Sequence, residues 1–153
     1  MKEPEEIIEE LMVGVLSKAL PDIDTIGALS PVPEGEQKKS ADTYIAVFVD
    51  LEEPLNAFKS PLMPCTYSLR ITVHYANADD ATGAEFRDTC RAVRNVITSL
   101  CGDKCVNMNG NGFECDDFGL TNTQTALDQD ADIGGIVKTY TVSLTGRITN
   151  KEN

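Results

Sequence analysis

Cys65-Thr-Tyr-Ser-Leu-Arg-Ile-Thr-Val-His-Tyr-Ala76 is the stretch that decides the fold, because apolar and polar side chains alternate along it up to Tyr75. Successive side chains of a β-strand point to opposite faces of the sheet, so strict alternation indicates a strand with one buried face. The polar set includes Arg70, Thr72 and His74. The pattern therefore predicts a strand over Cys65–Ala76 that covers a core with one side and presents a threonine-rich polar side.

Three other stretches complete the predicted sheet. Thr43–Leu51 is almost continuously apolar, which predicts a central strand covered on both faces. Ile136–Ile148 also alternates, with only Lys138 and Gly146 interrupting its apolar side, and this predicts a long closing strand. Thr25–Leu29 predicts a short strand near the start of the chain.

The remaining segments that lack helical spacing are less regular. Lys104–Met108 predicts a short strand. Phe113–Asp117 is expected to pair back on it across Asn109-Gly110-Asn111-Gly112, which is a strong turn signal. Thr121–Asp132 is polar and predicts a loosely structured segment.

Two stretches have the spacing of amphipathic helices. In Glu3–Leu20, apolar residues recur every three or four positions, and Pro21 ends the pattern. Acidic residues crowd the first turns of this helix, where the helix dipole favours negative charge. Thr82–Cys101 predicts a second helix with one apolar face. The opposite face of that helix carries Arg87, Arg91 and Arg94.

The order of these elements predicts an α+β fold, in which a mainly antiparallel sheet carries two helices on one face and the N-terminal helix comes first. The 153 residues are enough for a single domain and too few for two. Three segments are expected to extend from this domain: a mobile loop over 30–42, a projecting arm over 52–64 and a polar tail over 150–153. The apolar side chains of the arm are a predicted contact with a partner. They are Leu55, Phe58, Leu62 and Met63.

The charge of the chain excludes some classes of function. There are 13 basic and 25 acidic residues, and the formal net charge is -12. Affinity for nucleic acid comes mainly from Lys and Arg, so we expect no specific binding to it. No stretch approaches the roughly 20 apolar residues that a helix needs to cross a bilayer. The polar, acidic start is unlike a secretory leader, so we expect neither export nor a membrane partner.

The five cysteines are the first candidates for chemistry. Cys101 and Cys105 have a spacing that zinc sites tolerate, and Cys115 follows ten residues later, but the fourth ligand would have to come from elsewhere in the chain. A disulfide between two of these three thiols is an alternative. Cys65 and Cys90 fit the pattern of small core residues. With no export signal, we expect reduced thiols and no metal.

No other pattern has the residues of a catalytic or cofactor site. The motif Asp-x-Asp-x-Asp at 128–132 resembles a calcium loop, but Ile133 and Thr139 stand where that loop needs glycine and glutamate. His74 is the only imidazole available to activate a nucleophile, and the sequence brings no thiol towards it. We therefore expect no enzymatic activity and no cofactor.

Five features in a fixed order carry a resemblance to a known family. They are the helix that closes at Leu20-Pro21-Asp22, the proline-rich loop before Thr43–Val49, the strand Tyr67–Ala76, the turn Ala78-Asp79-Asp80-Ala81 that enters Thr82–Cys101, and the final strand Lys138–Ile148. With these features the chain resembles the small tail terminator and tail completion proteins of long-tailed bacteriophages and prophages.

The resemblance implies a structural protein, often a hexameric ring, that caps the finished tail tube and joins it to the head. It implies that the partners are other copies of the chain, the tail tube and head-completion proteins. The location would be the host cytoplasm during assembly and then the neck of the virion. An acidic lumen would suit such a ring, because it repels the DNA that passes through.

The residues predicted at subunit contacts combine the arm, the polar sheet face and the arginine face of the second helix. They are Leu55, Phe58, Leu62, Met63, Arg70, Thr72, Arg87, Arg91 and Arg94. The alternatives are another head–tail adaptor, a monomeric binding module, and a small enzyme that depends on thiols or zinc.

Overall fold

The computed structural model describes residues 4–27, 43–54, 65–75, 84–128 and 135–149. In chain order, the elements are α1 (Pro4–Ala19), β1 (Asp24–Gly27), β2 (Thr43–Pro54), β3 (Cys65–Tyr75), α2 (Ala84–Thr98), a 3₁₀ helix (Gly102–Met108), β4 (Phe113–Asp128) and β5 (Gly135–Ile148). This is the predicted α+β fold with the N-terminal helix first.

The five strands form one sheet in the order β1-β2-β3-β5-β4. The short β1 pairs with β2 in parallel, and the other three pairings are antiparallel. At the centre of the sheet, Val47 is opposite Ile71, which is opposite Tyr140 on the next strand. The alternation that predicted β3 is confirmed, because every second residue from Cys65 to Tyr75 is buried.

Both helices pack on the apolar face of the sheet. Ile8, Met12 and Leu16 of α1 are fully buried, and so are Val93 and Ile97 of α2. These side chains join the apolar residues of β2, β3 and β5 in one core. Neither helix, at 16 and 15 residues, is long and apolar enough among the described residues to cross a membrane.

The predicted strand at Lys104–Met108 is wrong, because this segment lies in the 3₁₀ helix. Cys105 and Met108 are its buried residues, and their spacing of three matches the period of a 3₁₀ helix. Gly102 stands at its start with a φ of 67°, a left-handed conformation that glycine adopts without strain.

The prediction for the polar segment after Phe113 is also wrong. Phe113 pairs with Ile148 of β5 and begins a strand that runs to Asp128, through most of the segment expected to be loose. The side chains at 121–125 are all exposed, so this part of the edge strand has no apolar alternation that would indicate a strand. Its backbone hydrogen bonds to β5 form it instead.

One further expectation, that β2 is covered on both faces, is corrected. Ile45 and Val47 are buried on the helix side, whereas Phe48 on the other side is 40% exposed. The predicted loop 30–42 and tail 150–153 lie outside the described residues. Of the predicted arm, Glu52–Pro54 belong to β2, which still pairs with β3 there, and residues 55–64 lie outside the described part.

Candidate interaction surfaces

The side of the sheet opposite the helices forms a broad polar surface, here called the outer face. In its centre, the alternate residues of β3 and β5 are mostly threonine and serine, and Thr66 and Thr145 share a hydrogen bond of 3.2 Å between their hydroxyls. The described side chains of the outer face include Tyr44, Ala46, Phe48, Thr66, Ser68, Arg70, Thr72, His74, Glu114, Asp117, Asn122, Gln124, Val137, Thr139, Thr141, Ser143, Thr145 and Arg147.

Aromatic contacts organise one side of the outer face. The rings of Tyr44 and His74 stack with centroids 4.3 Å apart and an interplanar angle of 5°. The His74 Nε2 atom lies 2.9 Å from the Thr72 hydroxyl. The guanidinium of Arg70 lies 5.1 Å from the centroid of the Phe48 ring. Two residues predicted at subunit contacts, Arg70 and Thr72, thus belong to an ordered polar and aromatic surface.

Helix α2 forms the second surface, together with β4 and β5. The three predicted arginines are exposed on this helix and line a groove of about 270 Å³, here called the arginine groove. Lys138 of β5 lies at the same groove. The lining residues are Phe86, Arg87, Cys90, Arg91, Arg94, Thr125, Lys138 and Tyr140. The structure thus joins the three arginines with a lysine that is distant in the chain.

The floor of the arginine groove is apolar, and the Tyr140 hydroxyl there already has a hydrogen-bond partner. Tyr140 donates a hydrogen bond of 2.9 Å to the backbone carbonyl of Cys90. The Lys138 Nζ atom lies 5.7 Å from the centroid of the Tyr140 ring. Burial raises the pKa of the Tyr140 hydroxyl and that of the Cys90 thiol, and the charge of Lys138 offsets only part of the shift for Cys90. Both groups are therefore neutral at physiological pH.

The cysteines do not form the predicted zinc alternative. Within the described ranges, no three His, Cys, Asp or Glu side chains are grouped to hold a metal ion. Cys105 and Cys115 lie close together in the core, where the Cys105 thiol donates a hydrogen bond of 3.5 Å to the Cys115 carbonyl. Cys101 is half-buried and donates to the Ile97 carbonyl at the end of α2. All five thiols are free.

The Cys115 thiol has the wrong acidity for nucleophilic catalysis, and it lies on the other side of the sheet from the only imidazole of the chain. Burial, reinforced by the neighbouring Cys105, raises the pKa of Cys115 to about 12, whereas a nucleophilic cysteine needs a lowered pKa. His74 lies on the outer face, and the buried thiols of Cys105 and Cys115 belong to the core below the helices. The sheet therefore separates the only imidazole from this thiol pair.

Several predicted residues cannot be placed, and one was not predicted at all. Leu55, Phe58, Leu62 and Met63 lie outside the described residues, as do Asp130 and Asp132 of the acidic motif. The sequence pattern identifies Lys138 only as an interruption of the apolar side of β5. A charged residue at an inward position of an alternating strand was the available signal for a groove there.

Comparisons with known proteins give a match in structure alone. No family model and no curated protein sequence matches this chain. Its fold is similar to that of a chain from the virion of a native gene transfer agent particle, with 14% identity and a TM-score of 0.52 over 95% of this chain and 93% of that chain. A second solved chain is 12% identical, with a TM-score of 0.50 over 98% of this chain and 100% of that chain. At these identities the likeness establishes a shared fold that spans nearly all of each chain.

Proposed function

We propose that this protein is a structural subunit of a phage-like particle and that it works without catalysis. The observation that carries the proposal is the shared fold with a virion chain, which extends over 95% of this chain and 93% of the other. The raised pKa of the buried Cys115 thiol supports the absence of thiol catalysis.

Within such a particle, the proposed role is that of a tail terminator. The protein would form a ring at the end of the finished tail and would join the tail to the head. Its partners would be its own copies, the tail-tube protein and head-completion proteins. It would assemble in the host cytoplasm and remain in the neck of the virion.

The outer face supports a role in contacts between subunits. It combines hydroxyl groups, which form hydrogen bonds readily, with the exposed ring of Phe48 and the guanidinium of Arg70 above it. Aromatic residues and arginine are enriched at the energetic centres of protein interfaces. We therefore place Arg70 and Thr72 at one side of the subunit contact.

Analytical ultracentrifugation and negative-stain electron microscopy of the full chain test this role, with and without the tail-tube protein of the same genome. Rings in solution or on the ends of tubes are the expected result. A monomer that binds no tube contradicts the terminator role. A monomer that binds another neck component instead indicates an adaptor.

A pair of variants relates the assembly to the outer face. Arg70→Glu with Thr72→Glu places two negative charges on this face, and we expect it to prevent ring formation. Lys18→Glu, a charge reversal at an exposed position near the end of α1, is the control and should assemble normally. Circular dichroism of both variants checks that the fold is retained.

A further inference from the structure

We propose that the arginine groove of one copy binds the carboxylates of Asp116 and Asp117 of the next copy, so that the helix layer of each subunit packs against the sheet edge of its neighbour. This inference rests on the proposed ring and names the surfaces that would form it. It adds two acidic residues and Lys138 to the contact.

The groove concentrates positive charge in an acidic protein. Three arginines and Lys138 line one opening, although the whole chain has only 13 basic residues and a formal net charge of -12. Arg91 pairs with Asp88 at 3.1 Å, and both side chains are largely exposed. In the described part of the chain, Arg87, Arg94 and Lys138 have no ion-pair partner. Four neighbouring cations repel one another, so an anion bound in the groove would be favourable.

The shape and chemistry of the groove favour a short acidic protein segment. Arg87 and Arg94 are seven residues apart on α2, which corresponds to about 10 Å along the helix axis. This length suits two or three carboxylates, and the fork of an arginine guanidinium matches a carboxylate. The apolar floor, formed by Phe86, Cys90 and Tyr140, can accommodate an aliphatic stem beside the charges.

Nucleic acid fits the groove less well. The chain as a whole repels a long polyanion because of its net charge. The rings at the groove are not free platforms for bases: Tyr140 is buried, and Phe86 packs against Tyr75 with ring centroids 5.2 Å apart. Stacking of bases on aromatic rings, which strengthens binding to single strands, therefore has no exposed surface there.

Asp116 and Asp117 have the properties of the complementary surface. Both are exposed, and they lie at a bulge of the edge strand β4, where the pairing with β5 shifts between Cys115 and Asp117. Neither carboxylate makes an ion pair with another described residue. Asp117 is opposite Thr145, so it lies at the border of the outer face.

The placement of the two surfaces suits a head-to-tail contact. The arginines belong to the helix layer and the aspartates to the sheet edge and outer face, so the two surfaces lie on different layers of one subunit. When one surface of each copy binds a different surface of the next copy, the copies form a closed ring if the successive rotations add up to a full turn. Such contacts also bring opposite charges together, which offsets the repulsion between subunits that each carry a charge of -12.

Charge reversal in full-length protein tests the inference. Arg87→Glu with Arg94→Glu, and separately Asp116→Arg with Asp117→Arg, should each weaken self-association on the order of tenfold or more, as measured by sedimentation over a concentration series. The chain with all four substitutions has the net charge of the original protein and restores opposite charges across the contact. We expect it to form rings again.

The control and the remaining outcomes separate this inference from the proposed function. Lys18→Glu with Lys104→Glu changes the net charge as much as the arginine variant, at exposed positions that do not line the groove, and should assemble normally. Wild-type rings that both reversals leave unchanged would overturn the inference alone. Loss of rings in both reversals without recovery in the fourfold variant would overturn the assigned pairing. A wild-type chain that forms no ring, alone or on tubes, would overturn the inference and the ring together.

Discussion

The two faces of the sheet differ in the burial of their side chains and in the contacts that these side chains make. On the helix side, Val47, Ile71 and Tyr140 are nearly inaccessible to solvent and pack in a common core with α1 and α2. On the outer face, the neighbouring rows hold threonines, stacked rings and Arg70 above Phe48, and the Phe48 ring is 40% exposed. The side chains on the helix side are packed in the core, whereas the outer face is the proposed contact with other chains. Substitutions at matched positions of the two faces should therefore differ in their effect on stability.

The largest expected difference is between adjacent residues of β3. Ile71→Ala removes a fully buried side chain and should lower the free energy of unfolding by about 2–5 kcal/mol, because it removes apolar contacts and leaves a cavity. Thr72→Ala, on the outer face, should cost at most about 1 kcal/mol. Urea denaturation measures both values. Similar losses for the two variants would mean that the outer face contributes to the core as much as the helix side.

A second comparison uses two glycines on adjacent strands of the sheet. A Cβ atom at Gly146, on the helix side, would overlap the Phe113 ring and lie 2.6 Å from the Glu114 carbonyl oxygen. Gly146→Ala should therefore destabilise the protein by about 1–3 kcal/mol. Gly119→Ala has no neighbouring atom within 4 Å and should change stability by no more than about 0.5 kcal/mol. Thermal denaturation of both variants, measured side by side, distinguishes crowding from a general intolerance of alanine in the sheet.

Two hydroxyl donors give a smaller difference. Tyr140→Phe removes the buried hydrogen bond to the Cys90 carbonyl and should cost about 1 kcal/mol. Thr121→Val removes an exposed hydrogen bond of 3.0 Å to the Thr141 carbonyl, where water replaces the lost donor, and should cost about 0.5 kcal/mol or less. The measurement is again chemical denaturation. An equal cost for the two would show that burial does not determine the value of these bonds.

An effect of similar size is expected on the outer face itself. A double-mutant cycle of Phe48→Ala and Arg70→Ala should give a coupling energy of about 0.5–1 kcal/mol, which is the usual range for a cation–π contact near solvent. With a coupling energy in this range, the contact between Phe48 and Arg70 contributes little to the free energy of unfolding. A coupling energy above about 2 kcal/mol would assign this pair to the stabilising part of the molecule.

Much of the fold was predictable because its signals are local. The alternation of Cys65–Ala76 predicted β3, the spacing of three and four predicted both helices, and β5 followed from its own alternation. The failures have physical reasons. Lys104–Met108 was too short to distinguish a period of two from a period of three. The second half of β4 has no apolar side, because the side chains at 121–125 are all exposed and do not line the core.

The candidate surfaces were predictable only in part. The arginines of α2 share a face because of helical spacing, so the stripe was visible in the sequence. The sequence did not show that Lys138 and Tyr140 lie beside these arginines, because more than forty residues separate Arg94 from Lys138 along the chain. The same holds for Asp116 and Asp117, whose exposure depends on a bulge at the edge of the sheet.

The sequence by itself determined which residues of α1, α2, β3 and β5 face the core, since the periods of strands and helices are properties of neighbouring residues. It also determined the acidic character of the chain. Tertiary structure decided the strand order, the 3₁₀ helix, the length of β4 and the arginine groove. These features depend on which distant backbones share hydrogen bonds and which side chains meet across the core, and no local pattern specifies such pairings.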